Sequence, residues 1–136
     1  MADTPTIRFI SPAGLPRPNG YAHVAEITGG RLVFISGQVP LDADNRVVGV
    51  GDFAVQARQV FANLERALAA VDLTFADVAK LQMYVVDVSN LPVLRAIRDE
   101  FIDIARPPAS TTVQVAALFH PDVLFEVDAV AVAPAD

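Results

Sequence analysis

The chain has 136 residues, 53% of them hydrophobic and 19% charged, with a formal net charge of −6. That length and balance fit a single domain over residues 1–136 with ample material for a core. The absence of cysteine excludes disulfide scaffolds and thiolate chemistry, and one lysine, Lys80, among nine arginines in no basic run argues against nucleic acid as partner.

No run approaches the ~18 apolar residues of a membrane span, so no membrane partner is expected. The opening MADTPTIRF has neither a basic region nor an apolar core, and a cytoplasmic location is expected. The apolar content is high for a small monomer, which implies that a partner chain covers part of the surface.

Residues 1–20 hold four of the ten prolines. Arg8-Phe9-Ile10 reads as a short edge strand, and residues 12–18 as loop. YAHVAEI and RLVFISGQV flank Gly29-Gly30, a spacing that predicts a hairpin. Residues 41–51 read as loop. Asp52 is a helix cap, and Phe53, Ala57, Val60, Phe61, Leu64, Leu68 and Val71 recur at helical spacing. A helix is therefore expected over 52–71, with Gln56 and Arg58 mostly off its buried stripe.

Thr74 to Asp77 has the form of a capping box with Asp in the Glu place. A strand follows over about 78–87, with Leu81, Met83 and Val85 on one face and Lys80, Gln82 and Tyr84 on the other. Ser89 or Asn90 caps a second helix, with Pro92 in its first turn. Leu94, Ile97, Phe101 and Ile104 form its buried stripe, with Arg95, Arg98 and Asp99 mainly outside, and Pro107-Pro108 ends it.

The last stretch, Ser110 to Val132, contains two β-branched runs around the break Phe119-His120-Pro121-Asp122, and reads as a pair of antiparallel strands. Alternation puts Ser110 and Thr112 on one face of the first, with Thr111 and Val113 on the other. On the second, Phe125, Val127, Ala129 and Ala131 share one face, and Glu126, Asp128, Val130 and Val132 the other. The order is ββαβαββ, an α+β fold with a mixed sheet of about six strands and two helices on one face. Strands apolar on both faces need cover on both, so the second face is expected to pack against other copies of the chain.

Glu126 stands out inside a run that otherwise wants burial. It is either an acid on a solvated sheet face, as Asp128 suggests, or a carboxylate placed for chemistry. His23 and His120 have no metal-ligand partner at a recognisable spacing, so no metal or cofactor is expected. Ser36 has no evident base for a hydrolase triad. Gly37, at a strand end, marks either a bulge that lets a ligand approach the backbone or an ordinary end before Pro40.

PPASTTVQVAAL, a short break and VLFEVDAVAV together resemble the C-terminal signature of the Rid family, of YjgF type. Gly20-Tyr21-Ala22-His23 resembles the family's Gly-Pro-Tyr-Ser motif, LVFISGQVP its "ISGQ" strand and AKLQMYVVDV its central strand, so the likeness spans residues 18–132. It implies a chorismate-mutase-like homotrimer with small-molecule clefts between subunits, lined by Tyr21, the Ser36-Gly37 backbone, Ser110, Thr112 and Glu126. In deaminating members an Arg holds the substrate carboxylate, and a water near the Glu attacks the imine carbon. Here that Arg position is Ser110, a neutral hydroxyl that supplies no bidentate charge clamp. Three functions follow: a family member that binds or processes a different small metabolite, an enamine/imine deaminase of the hydrolase class, or a binding module without turnover. Arg106 is a candidate substitute for the missing charge.

Overall fold

The computed structural model of the chain describes residues 5–135. Six strands and two α-helices follow in the expected order. Strands β1 (Thr6–Ile10) and β2 (Val24–Thr28) precede β3 (Arg31–Gln38) and helix α1 (Phe53–Ala69). Then come β4 (Val78–Val85), helix α2 (Leu91–Phe101), β5 (Ala109–Gln114) and β6 (Phe125–Ala133).

The strands form two sheets: a two-stranded ribbon β1-β2 and a four-stranded sheet in the order β3-β6-β4-β5. β6 is antiparallel to both β3 and β4, while β5 runs parallel to β4. The α2 crossover delivers that parallel pair, as a strand–helix–strand unit requires.

Both expected hairpins are corrected. β5 and β6 do not pair, because both edges of β6 are taken by β3 and β4. Residues 115–124 instead carry the chain across β4. β2 likewise pairs with β1, from Thr6↔Thr28 to Ile10↔Val24, and not with β3. Gly29 and Gly30, at φ 75° and 81°, turn the chain from the ribbon into the sheet. At Gly30 a Cβ would collide with the Ala133 carbonyl and Pro5, so only glycine passes there.

The helices cover one face of the sheet. Leu81, Met83 and Val85 of β4 and Phe125, Val127, Ala129 and Ala131 of β6 meet Val60, Phe61, Leu64, Leu68, Leu94 and Ile97 in one core. Phe61 lies at its centre, its ring 5.4 Å from that of Phe101 and 5.8 Å from that of Phe125. Asp52 caps α1 by accepting from the Val55 N–H, and Thr74 and Asp77 form the expected capping box. Val71 and Ile104 lie outside the core, both exposed. α2 stops at Phe101, well before Pro107, which leaves Ile104 beyond its last turn.

Gln56 also departs from expectation: it is fully buried. Its amide nitrogen donates to the carbonyls of Gly49 (3.1 Å) and Asp122 (2.7 Å), and its oxygen accepts from the Leu124 N–H (2.8 Å). One side chain thus ties the loop before α1 to the loop that feeds β6. Gln56→Leu keeps the volume and strands three buried backbone groups. A loss of about 2–4 kcal/mol in urea unfolding is expected; a change under about 0.5 kcal/mol would contradict this role.

Candidate functional site

The residues singled out in the sequence fall into two groups on opposite faces of the four-stranded sheet. The first is Glu126 with Gly37. Alternation along β6 turns Glu126 away from the helices, together with Asp128, and pairs it in register with Tyr84 of β4. Between Ile35 and Gln38 the β3 register against β6 slips by one residue, so Ser36 and Gly37 sit in a bulge. The Glu126 carboxyl occupies the space over Gly37 where any side chain would be. Gly37 therefore marks a close approach, and the approaching group is Glu126.

Glu126 is half-buried, and this burial pushes its carboxyl pKa up, with the Asp128 charge adding to the shift. The Tyr84 hydroxyl lies 3.0 Å from Asp128. That hydrogen bond, then burial and the two carboxylates, hold the phenol above its ordinary value. Tyr84 thus stays a neutral donor to Asp128, while Glu126 has no such donor among the described residues. This face is polar at its centre, with Lys80, Gln82 and Tyr84 on β4, and apolar at the β3 edge. There Phe34 is 75% exposed and Leu32 55%.

The second group is Tyr21, Ser110 and Thr112. Ser110 and Thr112 pair with Leu81 and Met83 of β4 and so look toward the helices. They line a cavity of about 210 Å³ with Asn19, Tyr21, Met83, Leu91, Leu94, Arg95 and Arg98. The Ala22 N–H donates to the Pro108 carbonyl at 3.0 Å and pins the Tyr21 segment beside the start of β5. His23 braces the same segment, its Nε2 2.6 Å from the Pro16 carbonyl oxygen and its ring edge-on to Tyr21.

Two of the arginines read differently from the sequence. Arg106, the candidate substitute, is engaged elsewhere: its guanidinium donates to the carbonyls of Ile7 (2.9 Å) and Ala76 (3.2 Å) and stacks on Phe9. Arg98, expected outside the stripe of α2, is 6% exposed and lines the cavity beside Ser110. Its spacing was the available signal, since Leu94, Ile97, Arg98 and Phe101 stand at i, i+3, i+4 and i+7.

Within one chain the two groups are kept apart. β4 separates β6 from β5, a lateral offset of ~10 Å, and Glu126 and Ser110 point to opposite faces. Among the described residues no group of His, Cys, Asp and Glu suited to hold a metal ion occurs, and no helix is long and apolar enough to cross a membrane.

The raised Glu126 pKa has a definite sign. The folded state holds the proton more tightly than the unfolded state, so the stability it contributes is fully present below the ordinary value of 4.5. It is lost as pH rises through the folded value. Glu126→Gln is therefore expected to raise the melting temperature relative to wild type near pH 7, with the gain fading below pH ~4. A gain equal at both pH values would contradict the shift.

A family model described as Endoribonuclease L-PSP matches residues 15–133. A RutC family protein of Synechocystis is 35% identical over 95% of this chain and 98% of its own length. A protein of Acinetobacter baylyi named 3-aminoacrylate deaminase RutC is 34% identical over 90% of this chain and 95% of its own. Among solved structures, a Rid family protein of Yersinia pestis superposes with a TM-score of 0.86 at 36% identity, covering 93% of this chain and 98% of that one. Extent of match, identity and fold agree with the motifs around Tyr21, Gly37 and Glu126, and the chain belongs to the Rid (YjgF) family.

Proposed function

We propose that this chain hydrolyses a small enamine or imine, releasing ammonia, in clefts formed between copies of itself. The observation that carries the reading is the Glu126 carboxyl. It is pushed up in pKa and stands over the bulged backbone of Gly37. A carboxyl tuned toward neutrality can both take a proton from water and give one back. The relative named for deamination of 3-aminoacrylate supports the substrate class.

The chemistry asks little beyond positioning. An enamine first becomes an imine by gaining a proton at carbon and losing one from nitrogen. Water then adds to the C=N carbon while its proton passes to Glu126. The proton returns to nitrogen; the hydroxyl of the resulting carbinolamine then gives its own proton to nitrogen by way of Glu126, the C–N bond breaks, and ammonia and a carbonyl compound leave. No metal, cofactor or electron transfer enters the balance.

Assembly follows from the same geometry. Tyr21, Ser110 and Thr112 face one way and Glu126 with Gly37 the other, so a shared cleft requires one group from each of two copies. Leu32 and Phe34, exposed beside the Glu126 face, are the apolar surface such a contact would cover. A homotrimer closes contacts of this kind into a ring. With a net charge of −6, RNA is not the proposed substrate, whatever the description of the family model. The proposed location is the cytoplasm. A second reading, ligand binding without turnover, is favoured by Ser110, whose hydroxyl offers no charge to orient a substrate.

Two measurements decide. Sedimentation equilibrium at micromolar concentration is expected to give three chain masses, and a well-folded monomer would overturn the shared cleft. Ammonia release from 3-aminoacrylate and from 2-iminopropanoate, each generated in situ, is expected to be accelerated by wild type. Loss of a general base costs ~10²–10⁴-fold, so Glu126→Gln should fall by that order. Acceleration unchanged in Glu126→Gln would overturn the role of this carboxyl, and none in wild type would leave binding without turnover as the reading.

A further inference from the structure

We propose that Arg98, on α2, anchors a small carboxylate in the cavity beside Ser110 and so supplies from a helix the charge that position 110 lacks. This deepens the proposed function, since it rests on the Tyr21–Ser110–Thr112 cavity being part of the ligand cleft.

Arg98 is more than nine-tenths buried, with a side chain only 7% exposed. Burying a guanidinium is costly unless its N–H groups are bonded. Only Nε has a partner among the described residues, Asp99 Oδ1 at 3.0 Å. The two terminal nitrogens, which carry four of the five donors, have none there, and Arg98 lines the cavity. Among the described residues no buried side-chain nitrogen lacks a partner, so these terminal nitrogens are open to the cavity, and an unbonded guanidinium fork opening into a cavity is a preformed seat for a carboxylate.

The surroundings favour the same ligand. Gly20, at φ +73°, leaves the space that the Arg98 guanidinium fills, and a Cβ there would strike it. Arg95, one turn earlier on α2 and exposed, adds a second positive charge at the wall, and no carboxylate is among the lining residues. With Asp99 counted against Arg98, Arg95 leaves the site net positive. Ser110, Thr112 and Tyr21 offer hydroxyls for the uncharged part of the ligand. At about 210 Å³ the cavity is smaller than the ~300–1,000 Å³ typical of drug-sized ligands, which suits a carboxylate of a few carbons.

The test is binding, which does not depend on turnover. Pyruvate, the product of 2-iminopropanoate hydrolysis, and its uncharged amide are titrated by calorimetry into the assembled protein. Wild type is expected to bind pyruvate at least tenfold more tightly than the amide. Arg98→Gln should weaken pyruvate by about 10- to 100-fold and leave the amide unchanged, as for loss of a charge-assisted contact. Arg98→Gln with Ser110→Arg should regain pyruvate binding, because a guanidinium at position 110 would serve the same carboxylate. Binding is read without turnover, so failure of the hydrolytic reading leaves this result standing.

Should Arg98→Gln unfold, Arg98→Lys and the shift of the Arg98 Nε–H resonance on adding pyruvate to wild type take its place. Lys is expected to weaken pyruvate severalfold, and the resonance to move with saturation. Pyruvate bound no better than its amide, equal pyruvate affinity in a folded Arg98 variant, a silent resonance, or no regain in the double variant would each overturn the proposal.

Discussion

The structure depends on β6 being paired along both edges. Its neighbours β3 and β4 supply ladders along both edges, from Arg31↔Ala133 on one side to Val85↔Phe125 on the other, each with one register shift. Because side chains alternate along a strand, this double pairing fixes in one stroke which residues see the helices and which see the opposite face. A slip of one residue would put Glu126 and Asp128 into the core and expel Phe125 and Val127. Gln56 opposes that slip, since it grips Leu124 N–H and the Asp122 carbonyl immediately before the strand.

Most elements were legible from local pattern. Faces along β4 and β6, the Asp52 cap and the box at Thr74 depend on neighbours a few residues away, and all were found as read. The two hairpins were not, because turn chemistry reports that the chain reverses and says nothing of which strand wins an edge. β4 and β3 take both edges of β6, and β1 takes that of β2. Polar residues on the buried helix faces were missed for a different reason. Gln56 and Arg98 both fall at helical spacing within an apolar stripe, and only their polarity argued for solvent. Gln56 satisfies its groups with backbone from distant loops, and such partners are invisible in a linear string.

The sequence offered the candidate residues as one set and said nothing of their geometry. Likeness of motif named Tyr21, Ser36, Gly37, Ser110, Thr112 and Glu126 together, whereas one chain holds them as two groups on opposite faces of the sheet. The bulge at Ser36-Gly37 explains why a glycine follows an apolar strand. The residue that would otherwise carry a Cβ there faces a carboxyl that leaves no space for it. The neutral hydroxyl at Ser110 was plain in the sequence. The charge that shares its cavity was not, because Arg98 reaches it from another element, twelve residues earlier in the chain.

In the proposed assembly the two groups respond differently to association. Arg98 is already shielded within one chain, so its setting changes little when copies meet. Glu126 is only half-buried and lies on the face that carries exposed Leu32 and Phe34. Covering that face removes water from its carboxyl and moves its pKa further in the direction that burial has begun. Assembly would therefore tune the base and leave the anchor as it is. A ligand that touches Arg98 of one copy and Glu126 of another binds only the assembled state. By mass action it must then stabilise that state, so substrate concentration and oligomer stability are thermodynamically linked.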